Sequence, residues 1–293
     1  MLEPFNAVGH WDGRNRRSGR KSENKAEKNF TFYVLYFNST HFQNCGAVMA
    51  GEIESQNIVG YKQIDVAAGT MVGMGVQFND TATENTIAVK DLLSIPAAEQ
   101  KGANGLTAGA DQIWVWDVAN TAWKYYFFRK QGTRVIGWCK QGETAVTADT
   151  LNDGDGFFFK RPTGTGATVT LNGAVNCTDL SVPVTVAAGT MTFMTYPWPI
   201  QYAIADFVNN IPTAEQKGAN GLTAGADQIW VWDDVNTAWK YYFFRKQGTR
   251  VIGWCKQGET DVTEDTIDPG TCFFFKRPTG TGTTITFTKP AGL

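Results

Sequence analysis

An internal duplication constrains this chain more than any other feature. Residues 95–151 recur as residues 211–267, offset by 116, and only six of the 57 positions differ. The differences are Ala97/Thr213, Val118/Asp234, Ala119/Val235, Ala145/Asp261, Ala148/Glu264 and Leu151/Ile267. The match resumes as FFFKRPTGTG at Phe157 and again at Phe273, and upstream as VAAGTM at Val66 and Val186. The upstream offset is 120, so the second copy is shorter by four residues between Met191 and Ile211. Each unit therefore spans roughly 120 residues, 51–175 and 176–293, which is too long for one solenoid repeat and right for a self-contained domain. Three differences set a charge in the second copy against Val or Ala in the first. Positions 118, 145 and 148 are expected to face solvent, because an unpaired buried charge is costly.

Within one unit the pattern is mostly strands. Asn57–Val66 is rich in β-branched residues, and Gly69–Phe78 follows a turn. Gln112-Ile-Trp-Val-Trp116 is a strand with Trp114 and Trp116 on one face. Asp117–Asn120 is a turn. Thr121–Lys130 carries aromatics on both parities, which predicts a strand covered on both faces. Thr133–Trp138, Gly156–Lys160 and Ala167–Leu171 complete the set, with a glycine-rich loop over Gly102–Gly109 and a short helix expected over Thr86–Leu93. Short strands separated by Gly, Pro, Asn and Asp turns predict an all-β chain: two tandem antiparallel β-sandwich-like or barrel-like domains.

Residues 1–50 differ from the rest. A basic run from Arg14 to Lys28 precedes the apolar stretch Phe30–Phe37, and Ala47-Val-Met-Ala50 offers a small-residue cut site before Gly51. That order describes a secretory leader, although Asn38–Asn44 are polar; a basic tail is the alternative. No apolar run is long enough for a membrane-spanning helix. With a net charge of -2, nucleic acid is not expected as a partner.

Candidate chemistry is sparse. The two histidines, His10 and His41, both precede residue 50, so the duplicated body can build no Ser-His-Asp or Cys-His pair. No CxxC spacing suggests zinc, and no metal or other cofactor is expected. Asp111 and Asp117, repeated as Asp227 and Asp233, could serve glycoside hydrolysis, but they flank one short strand. Asn152-Asp-Gly-Asp-Gly156 resembles part of a calcium loop without its distal Glu, and reads better as a turn. The basic pairs Arg129-Lys130 and Lys160-Arg161, with Arg134, recur in the second copy; they fit strand ends better than an anion grip. No catalytic residue, and no enzymatic activity, is expected.

Tryptophan is the richest feature. Trp114, Trp116 and Trp123, repeated as Trp230, Trp232 and Trp239, are either core or a platform for stacking on a glycan. Cys139 and Cys255 are equivalent and read as buried thiols. Cys177 and Cys272 are not repeated and could form a bridge in an exported protein.

The NIVGY start at Asn57, the DQIWVWD strand and Gly154-Asp-Gly-Phe-Phe-Phe159 resemble exported, largely uncharacterised bacterial tandem β-repeat proteins. In those, a signal peptide ending in Ala precedes an NIVGY-type mature start and a GxGFF turn. The resemblance implies an extracytoplasmic location, secreted or at the cell surface. The expected role is that of a structural or adhesive protein engaging a surface partner or further copies of itself, with carbohydrate binding through the paired Trp strands as the alternative.

Overall fold

The computed structural model describes residues 32–36, 58–79, 85–176, 181–233 and 238–291, with the backbone alone for 32–36 and 58–59. Nearly all regular structure is antiparallel β. Unit 1 contains β2 (Ile58–Val66), β3 (Met71–Gly75), β4 (Thr86–Ala88), β5 (Gln112–Asp117), β6 (Ala122–Gln131), β7 (Arg134–Lys140), β8 (Thr150–Asn152), β9 (Gly156–Lys160) and β10 (Ala167–Ala174). It is preceded by β1 (Phe32–Tyr36), which runs antiparallel to β2. Unit 2 contains β11 (Ser181–Val186), β12 (Met191–Thr195), β13 (Tyr202–Ala203), β14 (Gln228–Asp233), β15 (Ala238–Gln247), β16 (Arg250–Lys256), β17 (Thr266–Ile267), β18 (Cys272–Lys276) and β19 (Thr283–Thr288).

The duplication is visible in the topology. One five-stranded sheet has the order β3-β9-β5-β6-β7, and its counterpart has the order β12-β18-β14-β15-β16. The small sheets correspond too: β2-β10 with β11-β19, and β4-β8 with β13-β17. In each unit the inner face of the large sheet packs on the smaller one, as a sandwich does. Alternation along the strands makes this possible. Ile113, Tyr126, Phe128, Trp138, Phe157, Phe159 and Met74 turn inward against Ile64, Val66, Val169 and Leu171, and all are buried. Unit 2 repeats the set with Ile229, Tyr242, Phe244, Trp254, Phe273, Phe275 and Met194 against Val182, Val186, Ile285 and Phe287. Each such side chain contributes about 1.5–3 kcal/mol by leaving water.

Two local expectations need correction or refinement. Thr86–Leu93 is not a helix: β4 pairs with β8 and turns follow. Its counterpart in unit 2, where four residues are missing upstream, contains the short 3-10 helix Ile204–Asn210. Phe207 of that turn stacks on Phe275 with ring centroids 5.7 Å apart, so burying one aromatic decides the local backbone. Ala145 and Ala148, and their charged equivalents Asp261 and Glu264, are exposed as expected. Val118 is half-buried, and Asp234 lies outside the described residues.

Candidate functional site

The acidic residues weighed for chemistry are held in structural networks. Asp111 is fully buried, and Arg161 Nη1 donates to both of its oxygens at 2.8 and 2.9 Å. The Lys101 amide donates to Asp111 Oδ2, and the remaining Arg161 donors reach the carbonyls of Glu99, Thr165 and Gly166. One ion pair therefore pins the 95–111 loop and the 161–166 turn onto the sheet. Burial pushes the Asp111 carboxyl up, against the pull of the Lys101 amide and Arg161. Unit 2 repeats the arrangement with Asp227 and Arg277. Asp117 instead caps the β5–β6 turn, accepting from Ala119, Asn120 and Lys124. Asn120 above all, then Lys124, lowers its pKa to about 2. Asp111 and Asp117 thus stand at the two ends of β5, each held by its own set of partners.

The basic residues also find local partners. Arg129 donates to Asn104 Oδ1 and the Thr144 carbonyl, and Lys130 Nζ donates to the Gln100 carbonyl. Lys160 lies 5.0 Å from the centre of the Trp114 ring, and Lys276 lies 5.3 Å from that of Trp230.

All six candidate tryptophans sit on the outer faces of the large sheets and are half-buried. Trp116 faces Trp123 directly across the β5–β6 ladder, with Trp114 beside Tyr125. Trp114 and Trp230 donate their indole N–H to Gln112 and Gln228, two residues back on the same face. What the sequence did not reveal is that these outer faces meet. Phe193 of β12 stacks on Phe158 of β9 at 4.6 Å, and Trp123 packs against Phe193 and Phe274. Trp116 Nε1 donates to the Met191 carbonyl at 2.7 Å. Met191, Phe193 and Thr195 meet β5, β9 and β3 in turn, so β12 crosses the unit 1 sheet rather than running along it.

This junction has approximate twofold symmetry. Gly75 N–H donates to Gly270 O at 3.1 Å, and the equivalent Thr195 N–H donates to Gly154 O at 2.8 Å. The side chains break that symmetry. Unit 1 places Gly73, Gly75 and Gly156 where unit 2 places Phe193, Thr195 and Cys272. A Cβ on Gly73 would lie 2.5 Å from Cys272 Sγ, one on Gly75 2.2 Å from Thr195 Cβ, and one on Gly156 2.9 Å from Phe193. Each glycine is the hole for a unit 2 side chain. These positions could have been read from the sequence as glycines of one copy that face a larger residue in the other.

On one flank of the junction, Lys62 Nζ donates to the Pro269 carbonyl at 2.7 Å. Burial lowers its pKa to about 8, against the opposing influence of Cys272 and Asp268. On the equivalent flank Lys62 is replaced by Val182, and a cleft opens.

The outer edges of the two sheets are β7 and β16. Val135 and Val146 are exposed there in unit 1, as are Val251 and Val262 in unit 2. Thr147 N–H donates to Trp138 O, and Thr263 N–H to Trp254 O, covering part of each edge. Cys139 and Cys255 are buried under the 103–110 and 219–226 loops. Cys272 is buried at the junction, and Cys177, its expected partner, lies outside the described residues. No helix among the described residues is long and apolar enough to cross a membrane. No family model, curated protein or solved structure matches the chain.

Proposed function

We propose that this is a non-enzymatic structural or adhesive protein, exported and acting at the cell surface or in an extracellular assembly. The observation that carries the reading is the pair of near-identical outer edges, β7 with Val135 and Val146 and β16 with Val251 and Val262. An exposed edge with apolar side chains is a template for pairing with another chain. Two of them on one body give two-point attachment, in which the second contact forms at raised effective concentration. The locked state of Asp111 and Asp117 supports a non-catalytic role. Sedimentation velocity over a concentration series tests the idea. The expected result is concentration-dependent association that Val135→Lys with Val251→Lys abolishes. A monomer at all concentrations, showing no capture on its native cell surface, would defeat it.

A second reading, glycan binding, is favoured by the half-exposed rings of Trp230, Trp232 and Trp239, which lack the cover that Phe193 gives Trp123. Saturable quenching of Trp fluorescence by an added glycan, lost in Trp232→Ala, is its signature.

Export rests on the order of segments in residues 1–50. Sequencing the N-terminus of protein recovered from each cell fraction tests it. A chain beginning at Gly51 outside the cytoplasm is expected, whereas a full-length cytoplasmic chain would defeat it.

A further inference from the structure

The cleft on the open flank of the junction encloses about 370 Å³. Unit 2 lines it with Thr192 of β12 and with β11, including Val184. Unit 1 adds Val118 from the β5–β6 turn and Asn152, Asp153 and Asp155 from the turn before β9. Asp155 Oδ2 accepts from the Asn152 amide and side chain, and Asp153 Oδ2 from Asn79 and Asn176. Thr192 is 5% exposed, and its hydroxyl has no hydrogen-bond partner. A buried hydroxyl left unpaired costs free energy unless something completes it.

The opposite flank shows that this is not a general consequence of packing two copies. There Lys62 fills the space against the Pro269 turn. Four of the residues lining the open cleft differ in kind from their equivalents: Thr192 corresponds to Val72, Asp153 to Pro269, Asp155 to Thr271 and Val118 to Asp234. At the open flank the oxygen acceptors and the Thr192 hydroxyl face an aliphatic wall, and no Lys or Arg is among the described lining residues.

We infer that this cleft is a binding site for a small neutral polyhydroxylated ligand, a mono- or disaccharide unit. Ligand hydroxyls would donate to Asp153, Asp155 and Asn152, and Thr192 would complete its hydrogen bonding through one of them. The C–H face of the ring would lie on Val118 and Val184. The volume and the aliphatic wall exceed what a bare cation uses and suit an organic ligand. This site is separate from the outer edges, and it stands whether or not those edges associate.

Saturation-transfer NMR on the full chain tests it, with glucose, galactose, mannose, N-acetylglucosamine and cellobiose as probes. At least one sugar is expected to bind. Val118→Trp, which fills the mouth from an exposed turn, should weaken that sugar by at least about tenfold. Thr192→Val should weaken it about threefold without lowering Tm, since it removes an unpaired hydroxyl. The Thr192→Val measurement decides if Val118→Trp does not fold. Three results would overturn the proposal. None of the five sugars binds. A sugar binds undiminished in both variants and quenches Trp fluorescence, which places it on the tryptophan faces. Or calcium chloride alone raises Tm in a manner lost in Asp155→Asn while no sugar binds, which makes the cleft a cation site.

Discussion

The hairpin region 95–151 and its copy 211–267 differ at six positions, whereas the strands that dock the two units have exchanged glycine for Phe, Thr and Cys. Both regions descend from the same duplication. The first retains its residues because they solve a problem inside each unit: the same buried Asp, paired with an Arg just beyond the region, the same inward aromatics, the same loop over the same buried Cys. The second has diverged because it solves a problem between units. A symmetric junction forces like to meet like on its axis, and two Thr195 side chains could not share the space that Gly75 and Thr195 share now. Complementary change turns a self-matching face into two faces that fit each other.

The largest effect should come from breaking what is common to both copies. Asp111→Ala strands the fully buried Arg161 and should cost about 3–5 kcal/mol in urea unfolding. Asp227→Ala should cost the same within error. Unequal costs would mean that the copies are less alike inside than their sequences suggest.

Next comes the difference itself. Gly75→Thr places a second side chain where Thr195 stands, and overpacking of this kind costs about 1–3 kcal/mol or more. The swap Gly75→Thr with Thr195→Gly should recover most of that loss, giving a strong coupling in a double-mutant cycle. Additive costs would remove the complementarity argument.

Lys62 distinguishes the two flanks by pH. The unfolded chain holds this proton up to about 10.5, while the folded chain releases it near 8. Folding therefore sheds a proton between those values, and stability rises with pH across the window. Relative to Lys62→Met, the wild type should gain about 1 kcal/mol between pH 7 and 9. A flat difference would mean that Lys62 is hydrated and the flank is not sealed.

The smallest effect concerns the edges. Ala145→Asp with Ala148→Glu gives unit 1 the charges that unit 2 already carries. Stability should change by less than about 0.5 kcal/mol, because both sites are exposed. Self-association through β7 should nevertheless weaken, as charges at an edge discourage pairing. Unchanged association would assign the contacts elsewhere.

Much of the fold was legible in the sequence, because alternation is written along each strand. The shared face of Trp114 and Trp116, the cover on both faces of β6, which the structure confines to Tyr126–Phe128, and the turns at Asp117 and Asn152 all follow from local pattern. The sandwich follows from the number and spacing of strands. Thr86–Leu93 misled because its apolar spacing fits a helix as well as a strand followed by turns, and pairing with β8 decided between them. The site was harder to read. Asp111 and Arg161 are 50 residues apart, and no local pattern links them, although both recur at the same offset. The cleft draws on Val118, Asp155 and Thr192, which only the junction brings together. A reading that looks for sameness between copies passes over the positions where they differ.

Calorimetry on the full chain shows whether two near-identical units have become one body through a mutually fitted junction. One unfolding transition with equal calorimetric and van't Hoff enthalpies is expected, splitting into two in Gly75→Thr. Two transitions in the wild type, left unchanged by that substitution, would contradict this and show that the units fold as independent neighbours.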